Sequence, residues 1–207
     1  MKNTKIHRMV GIALLIAVMV VLQFIGTIFP IKIGPVSISL VLIPIVIGAA
    51  VYGPSAGAIL GAAFGVLANI FFANGMDGGG HMVFQASPIL CIVVVMLKGI
   101  CCGFAAGWIY KLLVKKNGYV AMLCAAIVCP VVNTGIFLLG MRLFFMDVLR
   151  IWANGSDVAG YVLTGLILVN FLPELALNVI VSPAAQRVIQ VVQKSTVRRA
   201  NKPKIVE

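Results

Sequence analysis

Residues Phe29 to Gly65, FPIKIGPVSISLVLIPIVIGAAVYGPSAGAILGAAFG, decide how this chain folds. Phe29 to Pro35 carries two prolines, one glycine and a lone lysine, a mixture that resists helix and predicts a loop. Ile38 to Tyr52 then runs without a charged residue, Gly53-Pro54 breaks it, and Gly57, Gly61 and Gly65 recur at every fourth position. A helix turns once in about 3.6 residues, so the three glycines share a face. In lipid, apolar side chains gain nothing by burial against each other, and close backbone approach over small residues becomes the main source of helix attraction. The stretch therefore predicts a tightly packed membrane hairpin behind an irregular loop.

Composition extends that reading to the whole chain. Its 207 residues are 62% hydrophobic and 10% charged, with mean hydropathy +1.14, the balance of an integral membrane protein. Each crossing takes about 20 apolar residues, so the length accommodates about six. The expected fold is an all-α bundle of six transmembrane helices over residues 1–183, followed by a basic cytoplasmic amphipathic segment and tail over 184–207. The spans are expected at about Met9–Ile28, Val36–Tyr52, Ser55–Ala73, Pro88–Leu113, Tyr119–Phe145 and Val158–Ser182. Between them, Asn74 to Ser87 (NGMDGGGHMVFQAS) reads as a flexible loop in which Asp77 and His81 are solvated, and Met146 to Asp157 as a second polar loop. In the fourth span Gly99, Gly103 and Gly107 repeat the device of the third. In the fifth, Pro130 followed by Asn133 and Thr134 predicts a locally opened helix facing a cavity. After Pro183 the chain should continue as a surface helix or as an extension of the sixth span.

The net charge of +11 is concentrated at helix ends. Lys2, Lys5 and Arg8 precede the first span, Lys111, Lys115 and Lys116 fill one connection, and Arg187, Lys194, Arg198, Arg199, Lys202 and Lys204 end the chain. Charge so placed sets topology and attracts anionic headgroups; it does not describe a nucleic-acid surface. With six crossings all three basic segments fall on one side, which puts both termini in the cytoplasm and the loops around Lys32, His81 and Trp152 outside. Cys91, Cys101, Cys102, Cys124 and Cys129 all lie in apolar runs, the setting of buried small hydrophobes, and no metal-ligand spacing or disulfide framework is present.

Polar residues inside the spans are costly and mark a function or a structural pair. Lys98 falls near mid-depth, Asn69, Asn133 and Thr134 in the outer half, and Asn170 at about mid-depth. Together with Lys32 and Gln85 from the outer loops, they predict an outward cavity for a small polar solute with an anionic end. Glu174 is expected to pair with Lys98 as a structural element. Nucleotide-binding, zinc-protease and hydrolase motifs are all missing, so no catalytic residue, metal or cofactor is expected.

Six short spans, the A-x-x-x-A of Ala13 and Ala17 in the first, a Pro/Gly loop, and then LIPIVIGAAVYGPSAGAILGAAFG resemble the substrate-binding S component of energy-coupling factor (ECF) vitamin transporters. The resemblance implies a plasma-membrane protein without catalytic activity. It would capture a vitamin or vitamin precursor outside and deliver it inward with a membrane coupling subunit and two ATPase subunits. It further implies that Ala13 and Ala17 dock the coupling subunit and that Ile31, Lys32, Ile33, Gly34 and Pro35 gate the pocket. The aspartate associated with the riboflavin-binding branch is replaced by Ser37 and Ser39, whereas cationic Lys98, Arg142 and Lys32 suit a carboxylate-bearing vitamin such as pantothenate or a folate. The alternatives are a stand-alone small secondary transporter and a membrane assembly protein without a transport role.

Overall fold

The computed structural model describes residues 2–28, 40–155 and 157–200, with side chains over 6–27, 40–155 and 157–191. The expected gate, residues 31–35, lies outside the described residues, as do Ser37 and Ser39. Helix α1 spans Lys2–Ile28, α2 Leu42–Tyr52, α3 Pro54–Ala73, α4 Gly78–Ala86, α5 Pro88–Leu113, α6 Gly118–Phe144, α7 Met146–Ala153 and α8 Val158–Tyr161; a π-helical segment, Val162–Phe171, then leads into α9, Leu172–Ala200. Among the described residues, five stretches are long and apolar enough to cross a bilayer, and Leu42–Tyr52 is a shorter apolar helix, six in all. The protein is an all-α membrane bundle.

Helix α2 ends at Gly53, whose φ of +89° lies in the region favouring glycine, and Pro54 starts α3 at once. The hairpin therefore turns within one residue. The two glycine stripes then meet each other. A Cβ on Gly57 would strike the carbonyl of Gly103, one on Gly61 the carbonyl of Gly99, and one on Gly107 the backbone of Pro54. Helices α3 and α5 thus run antiparallel with backbones in direct contact, and this pair forms the spine of the bundle. On one side α2 is buried against it through Leu42, Ile45, Val46 and Ala49. Helix α1 lies further out: Met19 is buried, Ile12, Leu15, Ile16 and Leu22 pack on the core, and Gly11 fits under the Tyr52 ring. Its opposite face, with Val10, Leu14, Val18 and Val21, is exposed.

Two expected loops are helical. Residues 74–87 contain α4, started by Asp77, whose Oδ1 accepts the Gly80 N–H at 2.7 Å, and folded so closely onto α3 that a Cβ on Gly80 would enter the Phe72 ring. Residues 146–157 contain α7, which buries Val148, Leu149 and Ala153 and exposes Asp147 and Arg150. Glycines in α4 and the charged Asp147 and Arg150 in α7 disguise these helices, while the buried residues recur at helical spacing.

The expected opening at Pro130 is also corrected, because α6 runs unbroken through a buried Pro130. Irregularity appears instead in the last span. Pro173 has no N–H, and its ring needs the space of a carbonyl about one turn earlier; the wider π spacing directly upstream of it relieves that crowding. Pro183 is accommodated differently. Its missing N–H frees the Val179 carbonyl, and the Ser182 hydroxyl donates to that oxygen at 2.8 Å. Helix α9 consequently continues past Pro183, with Ile189 buried and the Gln186 Oε1 accepting from Tyr110 at 3.1 Å.

Candidate functional site

One large cavity opens at the end of the bundle where α1 finishes, α2 begins and α3 hands over to α4. It holds about 990 Å³ of unfilled space, its open mouth included. The wall takes Gln23 and Thr27 from α1, Phe64 and Phe72 from α3, Lys98 from α5, Asn133, Thr134 and Phe137 from α6, Trp152 from α7, and Asn170 and Glu174 from the last span. The basic connection after α5 and the start of α1 lie at the other end of the bundle.

Lys98 is 8% exposed, and its ammonium sits over two rings, 4.7 Å from the centre of Phe137 and 5.7 Å from that of Phe64. Rings in this position stabilise a desolvated cation by up to about 2 kcal/mol without neutralising it. Glu174 stands in the same wall, yet no ion pair or hydrogen bond joins the two side chains. The expected structural pair is thus not closed. Around them, Asn133 Oδ1, Trp152 Nε1, Asn170 Oδ1 and Glu174 Oε1 are buried without a hydrogen-bond partner. Buried polar atoms are nearly always paired, so these four need a partner, water or solute, from the cavity itself.

Of the residues singled out in the sequence, Lys98, Asn133, Thr134 and Asn170 share this wall. Asn69 is turned onto its own helix, where Nδ2 donates to the Gly65 carbonyl at 2.8 Å. Gln85 is exposed on α4, with Nε2 2.8 Å from His81 Nε2, while His81 Nδ1 lies 2.7 Å from the Phe72 carbonyl. Neither Asn69 nor Gln85 is on the cavity wall. Arg142 is exposed near the end of α6, and Lys32 lies outside the described residues. Trp152 and the two phenylalanines were not anticipated as wall residues. The spacing of Val148, Leu149 and Trp152 in MDVLRIWA was the available signal for α7, because it presents one apolar face.

A sequence model described as ECF transporter, substrate-specific component, matches residues 7–185. The chain belongs to this family. It is therefore a substrate-specific transporter subunit and a multi-pass membrane protein. No individual curated protein matches it significantly. Ala13 and Ala17 both lie on the exposed side of α1.

Proposed function

We propose that this S component captures a vitamin or vitamin precursor in the cavity between α1, α3, α6 and the last span. Lys98 would meet an anionic group of the ligand, and Asn133, Thr134 and Asn170 its polar groups. The observation that carries this reading is the set of buried, unpartnered polar atoms beside an unpaired ammonium. A pantothenate-like or folate-like carboxylate suits that ammonium, since a desolvated cation and anion gain most from each other where water is scarce. The arrangement of Lys and Arg at the helix ends supports cytoplasmic termini, with the cavity facing outwards and the protein in the plasma membrane.

The test is mass spectrometry of small molecules released from protein purified from its native membrane. A molecule of vitamin size carrying a carboxylate is expected. Recovery of no such molecule, together with no binding from a panel of vitamins, would remove the proposal.

Release on the cytoplasmic side would depend on a membrane coupling subunit and two ATPases, with Ala13 and Ala17 as the docking positions on α1. Both are small and exposed between larger apolar side chains, which leaves a shallow groove for a partner helix. Ala17→Trp is expected to reduce ATP-dependent uptake in proteoliposomes at least tenfold while ligand affinity stays within twofold. Uptake at the native rate would rule Ala17 out as a docking position.

A further inference from the structure

Glu174 has no role in the reading above, although it stands in the same wall. Its environment is specific. It is 5% exposed, and Oε1 has no hydrogen-bond partner. The neighbour one turn further along α9 is engaged elsewhere: Asn178 Nδ2 donates to the backbone carbonyl of Glu174 at 2.9 Å. The ammonium of Lys98 is stacked between rings and makes no ion pair with it. One helical turn earlier, Asn170 Oδ1 is also an orphan on the cavity wall, and Asn133 Oδ1 adds a third from α6.

The inventory is lopsided in a useful way. An amide can be turned round to offer its nitrogen; Glu174, taken as ionised opposite the Lys98 ammonium, accepts from every direction and cannot donate. Water can serve Glu174 while the cavity is empty. A ligand that displaces this water with carbon or with its own lone pairs leaves a buried carboxylate unserved, so such a ligand is selected against. A simple anion would satisfy Lys98 and strand Glu174.

Resting on the vitamin-capture reading, we infer that Glu174 is a ligand contact and that the substrate is two-ended. An anionic or strongly accepting end lies at Lys98, and an end rich in N–H or O–H donors, such as an amine, a ureido or a polyol group, lies on Glu174 and Asn170. The cavity thereby discriminates against carboxylates that lack donors. Glu174 is then a specificity-determining residue, not the counter-charge that holds Lys98 in place.

The experiment is equilibrium binding to purified protein in nanodiscs, with pantothenate, folate, biotin, riboflavin, thiamine and nicotinate as probes. The tightest binder is expected to combine an anionic group with N–H or O–H donors, and nicotinate, which has no donor, to bind at least tenfold more weakly. Glu174→Gln should weaken that tightest binder at least tenfold, because a charged acceptor becomes a neutral one. A second arm does not depend on folding of the variant: methylating the donor groups of the same ligand should weaken its binding to the native protein at least tenfold. The inference is overturned if the tightest binder lacks either end, or if both Glu174→Gln and donor methylation change affinity less than threefold. If no probe binds the native protein, the vitamin-capture reading fails and this inference falls with it; binding that ignores Glu174 removes the inference alone.

Discussion

Lys98→Met is expected to weaken binding of a carboxylate-bearing vitamin by roughly 30- to 1,000-fold, the equivalent of about 2–4 kcal/mol. Methionine nearly matches lysine in length and keeps a favourable contact with the rings of Phe64 and Phe137, so the wall retains its shape. What disappears is the positive charge. The bound carboxylate would then be desolvated without a partner, a larger penalty than the loss of an ordinary hydrogen bond. Lys98→Arg keeps the charge but spreads it over a larger planar group at a buried position, so only part of the affinity should return. Isothermal titration of the purified variants measures this directly. Affinities within threefold of native for every vitamin tested would show that the ammonium serves the bundle and not the ligand.

A larger effect on folding is expected at the contact between α3 and α5. Gly61→Leu should yield no monodisperse protein, and Gly61→Ala should lower stability by at least about 3 kcal/mol, at the upper end of ordinary overpacking. The reason is what the added carbon meets. At Gly61 it enters the backbone carbonyl of Gly99, which no rotamer change can move, and separating the helices would also part Gly57 from Gly103. Gly135→Ala in α6 is the matched control. No atom lies within 4 Å of a Cβ there, so alanine should be neutral or should stabilise the helix by up to about 1 kcal/mol. Thermal unfolding followed by size-exclusion chromatography distinguishes the two sites, and equal behaviour of Gly61→Ala and Gly135→Ala would refute the backbone-contact account.

The difference between these glycines bears on what could be read in advance. Both occupy apolar helices, and nothing local to Gly135 says that its surroundings are open. The stripes in α3 and α5 were legible because a four-residue period is a property of one helix. That they face each other was not, since any small-residue face would have satisfied either of them.

The same division runs through the cavity. Lys98, Asn133, Thr134 and Asn170 stood out because lipid makes any polar side chain expensive, so each announces itself within its own span. Asn69 stood out for the same reason, yet it is bonded to the Gly65 carbonyl one turn away, a solution available to any helical asparagine. The sequence gives the depth of such a residue along the helix axis. Rotation about that axis decides whether an amide faces a hollow or its own backbone. Trp152 was expected on an outer loop and not on a helix for a related reason: it reaches the cavity from a helix of eight residues, whose exposed Asp147 and Arg150 made the segment read as a polar loop.

By itself, then, the sequence determined the membrane location, the number of apolar helices, the hairpin at Gly53-Pro54 and the residue types available to a site. Each of these follows from the mismatch between a local stretch and its solvent, and a bilayer enforces that mismatch harshly. Only the tertiary structure decided that the glycine stripes pair, that α4 and α7 help to build one end of the bundle, and that Lys98 and Glu174 share a wall without closing on each other. Those outcomes depend on the rotation and relative register of several packed helices at once. No single helix's periodicity contains that information, because many rotations bury the same apolar residues almost equally well.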